Sequence, residues 1–399
     1  MPASDQSDHM YGLVERVLTD IGPRASCSEE EKRLGRLMAE DMQPFCDRVE
    51  TETFTCSPFA FLGHFPFLIA AYVIAIVFYW IFPVVSAVLG VLAIMVLYLE
   101  TALYKELIDP LFPQRQGENV VGFFSPSQEV RQRVVVSAHL DAAYEFNLWY
   151  WFKNWSIPIM ALAVLGVLML IGASVGRSID FFKDVPMTGV YRGLGIAGIA
   201  LTPLMLLFAF FHTYKVVDGA MDDLTAVAVL SGLARMLAAG RGGNGFYPEQ
   251  TEVVLLHASS EEAGLRGVKR YARAHKAEMT AIPTWGLFLD GIYDEAYLVV
   301  NRKEISMGTK MDPALVDMAR LVAAEHGWPI KVGVLPVGAT DASAFVQEGI
   351  PSVSIGCVDT SSLPRNYHTR YDTIDQVRPE SMVVILQLML DMLERLDSA

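Results

Sequence analysis

The chain has 399 residues, 52% of them hydrophobic and 19% charged, with a formal net charge of −14. The acidic balance excludes a nucleic-acid partner, because a phosphate-binding surface must be basic. The composition is also apolar for a soluble globule. The four cysteines, Cys27, Cys46, Cys56 and Cys357, have no CxxC or zinc-finger spacing and set no disulfide framework.

In chain order, the polar N-terminal segment reads as a helix over 10–18, a turn at Ile21-Gly22-Pro23-Arg24 and a second helix over about 29–42. No Asp, Glu, Lys or Arg then occurs between Glu52 and Glu100. The stretches between Lys153 and Arg177 and between Arg192 and Lys215 are likewise uncharged. A helix crossing a bilayer needs about 20 apolar residues. The first stretch is long enough for two crossings, with Phe82-Pro83 as the turn, and each of the others fits one. Helices buried in a soluble core would carry charge along one face. The expectation is therefore a lipid-bilayer protein with four transmembrane α-helices inserted as two hairpins. The polar segment ahead of the first apolar run does not read as a signal peptide.

Between and after these spans, apolar runs at 134–138, 253–258, 285–289, 298–300 and 353–355 read as buried strands. Helical patterns occupy 222–239, 263–275, 313–326 and 379–396. Alternating strands and helices predict an α/β fold, a mixed central sheet with helices on both faces. The chain then divides into an N-terminal helical part (1–57), a first hairpin (58–104), a segment with the first candidate ligand (105–152), a second hairpin (153–214) and the remainder of the soluble domain (215–399). Each hairpin crosses twice, so all soluble pieces share one face of the membrane and can form one domain. Basic residues flank the spans too evenly to orient them. The N-terminal segment, lacking a signal peptide, favours the cytoplasmic side. Gly193, Gly195 and Gly198 match GxGxxG, but no strand precedes them. They read as small residues that let membrane helices pack closely, not as a dinucleotide site.

Five elements carry chemistry. His139 and Asp141 lie two apart at the end of an apolar strand, so their side chains point the same way. The carboxylate can then orient the imidazole, as carboxylates behind metal-bound histidines do. Gly219-Ala220-Met221-Asp222-Asp223 comes immediately before an apolar helix, where paired acids could also simply cap it. Glu261 and Glu262 follow the strand at 253–258, at the end where α/β sheets place their sites. Neighbouring carboxylates can divide metal binding and proton transfer between them. Asp290 closes the strand at 285–289, and Asn366-Tyr367-His368-Thr369-Arg370-Tyr371-Asp372 puts a histidine in a late loop. His, Asp and Glu are the donors of zinc sites that keep a position open for water, and they also suit cobalt or manganese.

In order and wording these elements resemble the M28 family of metallopeptidases. The likeness rests on His139-x-Asp141, Gly-Ala-x-Asp222-Asp223, Glu261-Glu262-x-Gly-x-x-Gly, Asp290 and His368-Thr-x-x-Asp372-Thr, with Asp20-Ile-Gly-Pro-Arg24 ahead of them. It covers the soluble chain from about Met10 to Leu396, but not the apolar spans. The resemblance implies a zinc-exopeptidase-like fold and two divalent metal ions, with zinc expected. Asp222 would bridge them, His139 and Asp290 completing one site and Glu262 and His368 the other. It further implies Glu261 as general base, Asp141 orienting His139, Asp372 placed to do the same for His368, and a cis Asp222–Asp223 peptide.

Gly338-Ala-Thr-Asp341-Ala342 departs from the family's Ser-Asp-His element at Ala342, and Tyr367 is the candidate to stabilise an oxyanion. The expected function is hydrolysis of a peptide or small amide, foremost as an aminopeptidase. A carboxypeptidase-like or other amide hydrolase, a non-catalytic membrane scaffold and a transporter are the alternatives. The scaffold would have lost ligands that are present here. The transporter would need a coupling-ion site, and the spans carry no internal charge. The sequence sets no oligomeric state.

Overall fold

The computed structural model describes residues 3–359 and 365–398. Val134, Val135 and Val136 are all fully buried, as an uninterrupted β-branched run requires when both faces of its strand are covered. They lie in the middle of a mixed sheet of nine strands among the described residues. These are β1 (Arg48–Cys56), β2 (Arg115–Phe124), β3 (Gln132–His139), β4 (Thr251–Ala258), β5 (Thr284–Asp290), β6 (Leu298–Glu304), β7 (Thr309–Lys310), β8 (Lys331–Leu335) and β9 (Ser352–Cys357). The order is β1-β2-β4-β3-β5-β9-β6-β7, with β8 paired to β6. Its centre, β4-β3-β5-β9, is parallel, and the β1–β2, β2–β4, β6–β7 and β6–β9 pairs are antiparallel.

Two groups of helices cover this sheet. Thr225–Arg241 packs on β3 and against helices Ala3–Asp20, Glu29–Met42 and Pro379–Asp397. Arg266–Ala274 and Ala342–Gln347 pack on each other, the first against β1 and β2 and the second against β5 and β9. Helix Glu29–Met42 starts where Ser28 caps the Glu31 N–H, so its bounds match the sequence pattern. β1 was not foreseen. Up to Thr55 its residues are exposed or half-buried, so no apolar run marks it.

By its contacts the chain forms two compact units. One holds residues 1–58, 114–145 and 216–399, including the whole sheet; the other holds 59–113 and 146–215. In the second unit, helix Phe65–Ile81 packs against Pro83–Leu97 and Gly189–Leu207, and both of those pack against Ser156–Phe182. The interior uses small residues. A Cβ on Gly195 would meet Tyr79 and Trp80 at 2.6 Å, and one on Gly198 would meet Ile76 at 2.7 Å. This is the close approach that glycine permits between apolar helices. The outward faces carry exposed Ile81, Val88, Leu165, Val190 and Ile196.

Among the described residues five helices are long and apolar enough to cross a membrane: Ala60–Ile81, Pro83–Ala102, Asn147–Phe182, Gly189–Phe210 and Ala220–Arg241. The fifth differs from the others. Its apolar window is 78% buried, against 22–39% for the other four.

Candidate metal centre

The parallel strands end together. His139 at the end of β3 is level with Ala258 of β4, and Asp290 at the end of β5 is level with Gly356 of β9. Loops leaving these ends converge, as in other open α/β sheets. Nε2 of His139 lies 3.0 Å from Oδ1 of Asp222. Nε2 of His368 lies 3.3 Å from Oδ2 of the same aspartate and 3.2 Å from Oε1 of Glu262. Asp222 therefore turns one oxygen toward each imidazole. The donor atoms of His139, Asp222 and Glu262 lie within 4.8 Å of one another, and so do those of His139, Asp223 and Asp290. All five candidate ligands from the sequence thus meet in one place, and Asp223 joins them.

The surrounding hydrogen bonds hold this geometry. Asp141 accepts the Glu261 and Glu262 N–H groups on its two oxygens, each at 3.0 Å. Its Oδ1 is 3.4 Å from Nδ1 of His139, and its Oδ2 accepts the Ser26 hydroxyl at 2.6 Å. Asp223 accepts the N–H of His139 at 3.1 Å and of Gly291 at 3.3 Å, tying the ends of β3 and β5 together. The Asp222–Asp223 peptide is cis.

Asp372 sits differently from the sequence expectation. Its carboxylate accepts the N–H groups of Met221 at 2.6 Å and Asp222 at 3.3 Å, so it supports the backbone of Asp222 where support of His368 was expected. Arg24 was legible only as part of a turn. Its buried guanidinium donates to the carbonyls of Gly22, Leu140, Asp218 and Gly219 at 2.8–3.1 Å, stitching the N-terminal turn to the segments that carry the candidate ligands His139 and Asp222. Gly219 (φ +62) must be glycine there, since a Cβ would meet Arg24 and Asp222 at 2.8 Å.

The glycines of Glu261-Glu262-x-Gly264-x-x-Gly267 shape the turn that presents the glutamates. Gly264 has φ +98, and a Cβ on Gly267 would lie 2.2 Å from the Ser259 carbonyl oxygen. Backbone cannot yield to such a contact as a side-chain tip can. Gly267→Ala is accordingly expected to destabilise the protein by about 1–3 kcal/mol, the usual effect of overpacking. A lowered thermal midpoint checks this, and an unchanged midpoint contradicts it.

The electrostatics follow from crowding. Burial pushes Glu261 well above the usual carboxyl range, with Glu262, Asp341 and Asp290 adding to the effect. Burial followed by Asp222 raises Asp290 to about 7, and burial raises Asp341 and Asp372 to about 8. Burial opposes charge on His139 and His368 too, but the adjoining carboxylates outweigh it. His139 is held well above its ordinary value and His368 at about 10. So many buried acids with few cations are unfavourable unless further positive charge is bound. Two imidazoles and several carboxylates are also the donor set of zinc, so the residues fit that ion.

This crowding sets a pH dependence. A carboxyl whose folded pKa exceeds its unfolded value stabilises the fold below the unfolded pKa. That contribution is lost as pH rises through the folded pKa. For Asp341 and Asp372 the window runs from 3.8 to about 8. The thermal midpoint of chelator-treated protein is expected to fall across it, while that of zinc-loaded protein falls less. Parallel curves with and without zinc would contradict this.

Glu304 and Tyr367 complete the surroundings. Glu304, which sequence reasoning missed, is buried at the end of β6 and accepts from Thr340 N–H at 3.1 Å and from the Thr340 and Ser343 hydroxyls at 2.5 Å. It thereby fixes the loop that carries Asp341. Tyr367 stacks on His368 with ring centroids 3.9 Å apart.

Three comparisons bear on this arrangement. The sequence model of Peptidase family M28 matches residues 199–393. No curated protein matches the chain by sequence. Among solved structures, a glutaminyl cyclase from Bacteroides thetaiotaomicron, crystallised with N-acetylhistamine, is similar at TM-score 0.58 and 14% identity, over 97% of each chain. A Zn-dependent exopeptidase from Parabacteroides distasonis gives the same values. An aminopeptidase from Aneurinibacillus sp. strain AM-1 is similar at TM-score 0.58 and 13% identity, over 98% of this chain and 93% of that one. The resemblance to family M28 read from the motifs therefore holds, by sequence over residues 199–393 and by a fold that is also that of zinc exopeptidases, aminopeptidases and glutaminyl cyclases.

Proposed function

We propose that this protein is a membrane-anchored peptidase using two divalent metal ions, zinc foremost, to remove N-terminal residues from peptides. The observation that carries the reading is Asp222, with one carboxylate oxygen toward His139 and the other toward His368, at 3.0 and 3.3 Å. A carboxylate so placed is suited to hold two cations at once. His139 and Asp290 would complete one site, and Glu262 and His368 the other. When bound, such ions polarise the substrate carbonyl and make water a nucleophile near neutral pH.

The chain's own residues do the rest. Glu261 takes the proton of the attacking water and passes it to the leaving amine. Asp141 keeps Glu261 and Glu262 in register through their N–H groups and orients His139. Asp372 and Asp223 fix the backbone on either side of the ligands.

Helices Ala60–Ile81, Pro83–Ala102, Asn147–Phe182 and Gly189–Phe210 are the membrane spans in this reading, arranged as two hairpins. Ala220–Arg241 is a core helix of the sheet unit, because its apolar surface is already covered. The sheet unit then lies wholly on one side of the membrane, and protease protection in sealed vesicles reports which.

A second reading, glutaminyl cyclase activity, is favoured by fold neighbours of that name. One assay separates the two. Zinc-loaded protein is incubated with peptides of varied N-terminus, and the products are identified by mass spectrometry. Loss of the first residue supports the aminopeptidase, loss of ammonia from N-terminal glutamine supports the cyclase, and cleavage elsewhere contradicts both.

A further inference from the structure

All four cysteines are buried and free. Cys27 and Cys56 bring their sulfurs to 3.5 Å. Cys27 directly follows Ser26, whose hydroxyl holds Asp141. It is kept at φ 58, a left-handed backbone uncommon for a residue with a Cβ. Its N–H is given to one oxygen of Glu31 at 2.6 Å, and the other oxygen takes the N–H of Ser260 at 2.7 Å. Its sulfur also lies 3.2 Å from the Ser260 hydroxyl, and Ser260 immediately precedes Glu261. Cys56 is the last residue of β1, the edge strand. One sulfur therefore belongs to the turn that supports Asp141 and the glutamates, and the other to the rim of the sheet.

We propose that Cys27 and Cys56, 5% and 3% exposed, form a modification site, a thiol pair that a small disulfide oxidises reversibly, and that the resulting bond weakens metal retention at the Asp222 centre. The second half rests on the metal reading above. Hydrogen bonds from the Cys56 thiol, and then from the Ser260 hydroxyl, hold Cys27 below the ordinary thiol range against the opposing effect of burial. Cys27 is thus the attacking thiolate of the pair. It displaces one half of the small disulfide as a thiol, and Cys56 then displaces the other half. Two protein thiols lose two protons and two electrons in all, and the oxidant's S–S bond is reduced to two thiols. A disulfide bond is about 2.05 Å long, so closure draws the Cys27 sulfur off the Ser260 hydroxyl. The turn bearing Ser26 moves with it, disturbing the groups that hold Asp141, Glu261 and Glu262.

The test uses the full-length, zinc-loaded protein in detergent, treated with oxidised glutathione. Thiols are then alkylated under denaturing conditions and the chain is mapped by mass spectrometry without reduction. A linked Cys27–Cys56 peptide is expected, absent in Cys56→Ser. Zinc release to a chromophoric chelator is expected to be about ten-fold faster from the oxidised protein, the scale on which supporting groups tune metal affinity. Dithiothreitol should restore the slow rate. Alkylation of all four cysteines, or glutathione on single cysteines only, overturns the pair. A linked peptide with unchanged zinc release overturns the coupling. If the reduced wild-type chain takes up no zinc at all, the metal reading fails and the coupling with it, while the linked peptide still decides the thiol pair.

Discussion

Glu261→Gln is expected to lower kcat for peptide hydrolysis by about 10²–10⁴-fold, the usual worth of a positioned general base, with bound metal unchanged. Glutamine keeps the size of the side chain and both hydrogen-bonding atoms, but it cannot take a proton from water. The backbone N–H of residue 261 still reaches Asp141, so the turn should keep its shape. Glu262, the neighbouring ligand candidate, is untouched. Loss of activity together with retained metal separates a proton carrier from a ligand. A variant that hydrolyses peptide at the wild-type rate sinks the assignment, and one that loses its metal makes Glu261 a ligand.

Asp222→Ala should have the largest effect on metal content, dropping it from about two ions per chain to below one, since a single bridging group serves both ions of a two-metal site. The substitution removes the carboxylate that faces both imidazoles and leaves His139 and His368 without it. Folding should survive. The backbone of Asp222 remains supported by Asp372, and removing one acid relieves the crowding that raises Asp290. Far-ultraviolet circular dichroism run beside elemental analysis separates metal loss from unfolding. A folded variant that retains its full metal content contradicts the bridging role.

The parts of the site legible in the sequence are those whose meaning is local. His139 and Asp141 share one side of a strand end, Glu261 and Glu262 sit beside two glycines that only a tight turn requires, and Asp290 closes an apolar run. What escaped is held by contacts remote in the chain. Ser26 meets Asp141 across 115 positions, Glu31 meets Ser260 across 229, and Arg24 reaches carbonyls up to 195 positions away. No spacing rule exposes such pairs. Asp372 misled for the converse reason: nearness to His368 in sequence suggested a partnership, while its carboxylate lies under Asp222. In the fold, the parallel strands with continuous apolar runs were readable, but β1 and β8, with their exposed positions, β2, whose apolar end is broken by Gly122, and the two-residue β7 were not. Hydropathy alone also cannot tell a span from a core helix, because both Ala220–Arg241 and the four helices of the other unit are long and apolar. What differs among them is burial: the apolar window of Ala220–Arg241 is 78% buried and those of the other four 22–39%.

The most direct test of the metal centre is elemental mass spectrometry on detergent-purified wild-type protein, which depends on no choice of substrate. About two zinc, cobalt or manganese ions per chain is the predicted result, as a two-metal hydrolase requires. Protein that carries none, and takes up none on reconstitution, would contradict the account.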